Sequence, residues 1–191
     1  MISFMNNKDK ILEKLRKSSM SYLARYEVST YQFENTLKRK ISYYDSDLNE
    51  KEKINILDQI KAEMIKAKFI DDKRYAEIKT KSLRRQGSSI RFIYSKLKEK
   101  GIPNEIIQSS IESVDEGHEN AEIRAAIKFM KRKNIGIFSC KNLISNEREK
   151  YNLKQKWLGS LSRKGFSLET INKVIDINDI DNANLILEEQ S

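Results

Sequence analysis

The 191-residue chain has one cysteine, one histidine, one tryptophan, one proline and six glycines. A lone thiol, Cys140, cannot close an intrachain disulfide, so the composition points to a reducing, cytoplasmic setting. Cys140 and His118 are too few soft ligands for a structural zinc site. Neither sits in a recognisable nucleophile–base arrangement, and no Gly-rich phosphate loop is present. No metal, cofactor or catalytic residue is expected. So few prolines and glycines exclude a strand-and-turn architecture and favour long helices. Long apolar runs are missing as well. Nothing approaches the ~18 apolar residues of a membrane span. Lys8, Asp9, Lys10, Glu13, Lys14, Arg16 and Lys17 interrupt any leader-like stretch at the start.

Charge is abundant by contrast. Charged residues make up 34% of the chain against 38% hydrophobic, and the net charge is +9. From Asp176 onward there are five acidic residues and no basic ones, so without that stretch the rest carries about +14. A positive field of this size favours polyanions or acidic protein surfaces.

One phrase recurs three times: Leu37-Lys38-Arg39-Lys40-Ile41, Leu97-Lys98-Glu99-Lys100-Gly101-Ile102 and Leu161-Ser162-Arg163-Lys164-Gly165-Phe166. Each copy ends an apolar-periodic run and turns into another apolar residue. The spacings of 60 and 64 residues suit three helices with their loops. Such self-similarity predicts an all-α, elongated, three-unit protein. Residues 8–17 read as a leading helix, and Tyr22, Leu23 and Tyr26 as a second one ending before Val28. Ser29 with Gln32 has capping-box form, and Phe33, Leu37 and Ile41 share a face. Residues 42–49 read as a polar loop before a helix over 50–67 carrying Ile56, Ile60 and Met64. Asp72 is expected to cap the next helix and Gly87 to close it in the left-handed conformation. Ser88 or Ser89 then starts a helix bearing Ile90, Ile93, Tyr94 and Leu97. Pro103 is expected at the first helical position before Ile107, Ile111 and Val114. A third unit starts near Glu119 with Ile123, Ile127 and Met130, followed by an irregular stretch at 134–145. Asn146 through Glu149 can cap a helix carrying Leu153, Trp157 and Leu161. Gly165 makes a turn, Ser167 caps, and Leu168, Ile171 and Ile175 finish the apolar face. The acidic tail is expected to be mobile.

Phe69-Ile70-Asp71-Asp72-Lys73-Arg74-Tyr75-Ala76, Arg84-Arg85-Gln86-Gly87 and the run from Ile90 to Ile102 resemble the RecX family, modulators of the bacterial recombinase RecA. Tyr22-Leu23-Ala24-Arg25 with Ser29, and Arg163 through Ser167, extend the resemblance over roughly residues 20 to 176. Lys68 stands where the family often has glycine, Tyr26 where a second basic residue is common, and Ile41 replaces the glycine of the other two repeats. The resemblance implies a leading helix or arm at 1–19, three-helix units at 20–70, 71–116 and 117–176, a tail at 177–191, and a curved rod. It implies a non-enzymatic monomer that lodges in the groove of the RecA–DNA filament. There it inhibits filament growth, ATP hydrolysis, strand exchange and co-protease activity, and it binds single- and double-stranded DNA weakly. A stand-alone helix-turn-helix DNA regulator is the alternative, although the cations are spread over several units.

Candidate contacts to RecA or DNA are Arg25, Arg74, Lys81, Arg84, Arg85, Arg91, Lys96, Lys98, Lys100, Lys131, Arg132, Arg163 and Lys164. Arg84 and Arg85 lead, because guanidinium pairs bidentately with carboxylate or phosphate. Ser29, Asp71, Asp72, Tyr75, Gly87, Gly101, Gly165 and Phe166 are expected to serve the fold. Asp71 and Asp72 diverge by about 100° as helical neighbours, which suits capping better than metal binding. His118 reads as a surface imidazole, Trp157 as core and Cys140 as an incidental thiol.

Overall fold

Apolar residues three and four apart recur along nearly the whole chain, and helices follow from them. In the computed structural model, which describes residues 7–44, 47–118, 120–140 and 146–188, there are ten α-helices and no strand among the described residues. They are α1 (Asn7–Leu23), α2 (Thr30–Ile41), α3 (Glu50–Lys66), α4 (Asp72–Arg85) and α5 (Ile90–Lys98). They continue as α6 (Asn104–Asp115), α7 (Ala121–Lys133), α8 (Glu147–Arg163), α9 (Leu168–Ile175) and α10 (Ile180–Glu188). Residues 1–6 of the expected leading arm, Glu119, parts of the two irregular stretches (45–46 and 141–145) and the last three residues lie outside the described residues.

Of the described residues, those within 1–76 and 98–106 form one compact body, and those within 77–97 and 107–191 form another. The first is built on Ile11 and Leu15 of α1, Phe33, Leu37 and Ile41 of α2, and Ile56, Ile60 and Met64 of α3. Each such side chain contributes about 1.5–3 kcal/mol by leaving water. Arg16 Nε and Nη2 reach Glu63 at 2.7 and 2.8 Å, tying α1 to α3. The second core gathers Ala125, Ala126, Ile127, Phe129 and Met130 of α7 with Leu161, Phe166, Ile171 and Val174. Trp157 packs against it from α8.

Five expectations need correction. The leading helix and the first helix of the repeat are one element, α1, because no breaker separates Lys17 from Tyr22. Asp71, not Asp72, caps α4: its Oδ1 accepts from Lys73 N at 3.1 Å and Arg74 N at 3.2 Å. Those bonds hold the Asp71 carboxyl below the usual range. Pro103 lies one residue before α6 rather than at its first position. Leu168 is 72% exposed, and Val174 takes the buried place beside Ile171. The tail, expected to be mobile, is packed in place. Residues 180–188 form α10, Ala183 is fully buried, and Ile177, Ile186 and Leu187 pack on the second core.

The threefold phrase has a structural meaning beyond its buried leucines. Ser29 caps α2, and its hydroxyl donates to the Lys100 carbonyl at 2.6 Å. Ser89 accepts from Phe92 N at the start of α5, and its hydroxyl donates to the Lys164 carbonyl at 2.6 Å. The first amide of each capped helix also finds an acid from further along the chain. Thr30 N donates to Asp72 Oδ1 at 2.8 Å, and Ile90 N donates to Glu122 at 3.2 Å. Gly101 (φ +73°) and Gly165 (φ +88°) close the two joints. A Cβ at Gly101 would collide with Tyr31 Cβ, and one at Gly165 would sit 2.8 Å from Ser89 Oγ. Glycine is therefore required twice over, by conformation and by contact. Ile41 makes no such joint: it is a buried helical residue, with Ser42 as C-cap at φ −61°. Lys68, in a glycine place of the family, adopts φ +59°.

Candidate functional site: a basic groove between α4 and α7

Within the second body a third glycine brings the cations together. Gly87 ends α4 at φ +69°, and a Cβ there would lie 2.6 Å from Phe129 N and 2.7 Å from Ala125 O. Only a residue without a side chain lets the chain following α4 rest on the backbone of α7. Lys81, Arg84 and Arg85 of α4 are thereby placed beside Arg124 and Lys128 of α7. Between them runs a groove of about 410 Å³, completed by Val114, Asp115, His118, Ala121 and Ala125. A second depression of about 460 Å³, lined by Arg85, Gln86, Lys128, Lys131 and Arg132, shares two of its cations.

Arg84 is not the exposed contact the sequence suggests. It is 8% exposed, and its side chain is wholly engaged. Nε donates to Asp115 Oδ1 at 2.9 Å and Nη2 to Asp115 Oδ2. Nη1 reaches Glu122 Oε2 at 2.7 Å and the Ser88 carbonyl at 3.0 Å. Burial pulls its guanidinium down, but the bonds to Asp115 and Glu122 outweigh that and hold it above the ordinary arginine value. It fastens α4 to the end of α6 and the start of α7. Its position was legible in part: Ala76, Thr80 and Arg84 are spaced by four, and the first two are fully buried.

Around this strut the other cations keep their charge available. Lys81 and Arg85 are exposed, and neither makes a salt bridge among the described residues. Lys128 is half-buried and also lacks an acidic partner. Burial pushes its ammonium below the usual lysine value, and neighbouring Arg124 and Arg84 push it further. Arg124 donates to the Leu187 carbonyl of α10 at 3.3 Å, and its Nη1 lies 3.2 Å from His118 Nδ1. His118 thus lines the groove. Lys131 holds Asn184 Oδ1 at 3.1 Å.

Arg132 lies towards a neighbouring patch, where Lys164 Nζ sits 3.2 Å from the centre of the Phe92 ring and Lys96 Nζ at 5.7 Å. Burial, then Arg132, Lys96 and Lys133, lower the Lys164 ammonium. Arg91 is exposed beneath Gly165, and Arg163 is exposed on α8. The remaining candidates belong to the first body and do not join this site. Arg74 is committed within the first body, pairing with Glu27 at 3.0 Å and donating to the carbonyls of Lys68 and Phe69. Arg25 lies over Tyr26, Lys98 is exposed, and Lys100 lends its carbonyl to Ser29. Sequence reasoning missed Arg124, and it grouped Lys128 only with its basic neighbours Lys131, Arg132 and Lys133. Their helix reads as apolar through Ile123, Ile127 and Met130, yet the spacing of four puts Arg124 and Lys128 on one side of it.

No helix of the described residues is long and apolar enough to cross a membrane. A family profile described as RecX, second three-helix domain, matches residues 71–111, which take in α4, α5 and most of α6. The crystal structure of RecX from Lactobacillus salivarius superposes with a TM-score of 0.63 at 19% identity, covering 90% of this chain and 98% of that one. The regulatory protein RecX of Myxococcus xanthus is 30% identical over 168 residues, which are 86% of this chain and 85% of that protein. With sequence identity of 30% over 86% of its length and the second three-helix domain matched, the chain belongs to the RecX family.

Proposed function

We propose that this chain is a non-enzymatic, negative modulator of the recombinase RecA, built of three-helix units. It binds the RecA–DNA filament and limits filament growth, ATP hydrolysis, strand exchange and co-protease activity. Its contact with single- and double-stranded DNA alone is weak, and it acts as a monomer. The supporting observation is the convergence of Lys81, Arg85, Lys128, Lys131 and Arg132 on one face of the second body. Such a face suits acidic protein surfaces or phosphate backbones, and membership of the RecX family supports reading the RecA filament as its target.

The test is RecA ATP hydrolysis on single-stranded DNA with substoichiometric protein. Suppression by the wild type is expected, and Lys81→Glu with Arg85→Glu should relieve it without loss of helix content. Arg84 is left intact, because its removal would disturb the fold. A double variant that suppresses RecA at wild-type concentration would remove this face from the mechanism.

A further inference from the structure

The groove has a feature that a flat basic surface lacks: volume. Its cations stand in two pairs spaced by four residues, Lys81 with Arg85 on α4 and Arg124 with Lys128 on α7. Residues four apart are separated by ~6 Å along a helix axis, so each helix offers a short row of donors. Val114, Ala121 and Ala125 contribute apolar wall between the rows. The carboxylates at the site, Asp115 and Glu122, are already held by Arg84. Lys81, Arg85 and Lys128 are left without an acidic partner among the described residues. Two facing rows of cations around about 410 Å³ match a small chain of anions better than one isolated charge.

We propose that this groove is a binding site for a small polyphosphate, the linear phosphate chain found in inorganic triphosphate and in nucleoside triphosphates. Arg85 and Lys81 meet it from α4 and Lys128 from α7. The half-buried Lys128 serves as the central cation, since an anion beside it relieves the crowding by Arg124 and Arg84. The site rests on the reading of this face as anion-binding, and a bound polyphosphate would compete there with the filament.

The experiment is isothermal titration of the full chain with sodium triphosphate, and separately with ATP, at low salt. Saturable one-to-one binding is expected, weakened about tenfold or more in Lys128→Gln and in Arg85→Gln. Lys14→Gln, an exposed change on α1 of the other body, should leave it unaltered. Circular dichroism of each variant confirms that the fold is kept. Titration in buffers of different ionisation enthalpy at alkaline pH adds a second readout. Lys128 should take up protons as the anion binds, and Lys128→Gln should abolish that uptake. ATP binding at least as tightly as triphosphate assigns the site to nucleotides, and weaker ATP binding assigns it to the inorganic chain. Absence of saturable binding, or equal loss in Lys14→Gln, overturns the proposal. If triphosphate fails to bind while Lys81→Glu with Arg85→Glu still relieves RecA inhibition, only the polyphosphate site falls. If triphosphate binds but RecA is untouched, only the filament reading falls.

Discussion

The two serine joints are built on one plan and reinforced to different degrees. Each has a buried capping serine that donates to a distant lysine carbonyl, an acid on the first amide of the capped helix, and a glycine in close approach. In the first joint Asp72 serves the backbone of Thr30. In the second, Glu122 serves Ile90 and also the buried guanidinium of Arg84, which Asp115 grips from the other side. Counting back by the 60-residue repeat, Ala24 occupies the place of Arg84 and Arg25 that of Arg85. One position thus decides whether a joint carries a buried ionic strut. The neighbouring position keeps its arginine exposed in both repeats.

Arg84→Ala separates the joints most sharply. It strands two half-buried carboxylates, so a loss of about 3–5 kcal/mol is expected in chemical denaturation, focused on the second body. Hydrogen exchange should show α4 and α7 opening while α1 to α3 keep their protection. Glycine replacement comes next. Gly101→Ala meets both left-handed strain and the fixed Cβ of Tyr31, and should cost about 2–4 kcal/mol. Gly165→Ala should cost less, because its nearest obstacles, the Ser89 hydroxyl at 2.8 Å and the Arg91 Cβ at 3.2 Å, stand further off than the Tyr31 Cβ does at Gly101. The reverse order of melting temperatures would show that contact does not set the difference.

Ser29→Ala and Ser89→Ala each remove a helix cap and one long-range bond, worth about 1–2 kcal/mol. A smaller loss at Ser89, where Arg84 also holds the joint, would be read in their denaturation midpoints. The smallest effect concerns acid. Its bonds to Arg16 hold the Glu63 carboxyl below the usual range, despite some desolvation. The stabilisation is therefore complete above the unfolded carboxylate value and is lost as pH falls through the lower folded value. Because the pair is about one-third exposed, its contribution should stay within about 1 kcal/mol. Glu63→Gln should flatten the acid limb of the first body's stability curve and leave the neutral limb parallel to wild type.

The helices, the capping serines and the glycine turns were legible because each rests on local chemistry. An apolar residue every third or fourth place, a hydroxyl before a helix and a glycine after one are all written within a few neighbours. What lay beyond reading depended on distant partners. Arg84 and Arg85 are adjacent and chemically alike, yet one is buried between Asp115 and Glu122 and the other faces solvent. Only the packing of α4 against α6 and α7 distinguishes them. The acidic tail was misread for a similar reason. Asp181 and Glu188 lie on the exposed face of α10, while Ala183, Ile186 and Leu187 on the other side needed α7 to give them meaning.

The joints also set a schedule for synthesis. The Ser29 hydroxyl leaves the ribosome 71 residues ahead of its acceptor, and the Ser89 hydroxyl 75 residues ahead. At ~5–20 residues per second each waits several seconds for the carbonyl that receives it. The first core, drawn from residues 11–70, has all its parts before Lys100 is made. A nascent chain can therefore collapse early around α1 to α3 while its joint stays open, and each later repeat locks the one translated before it.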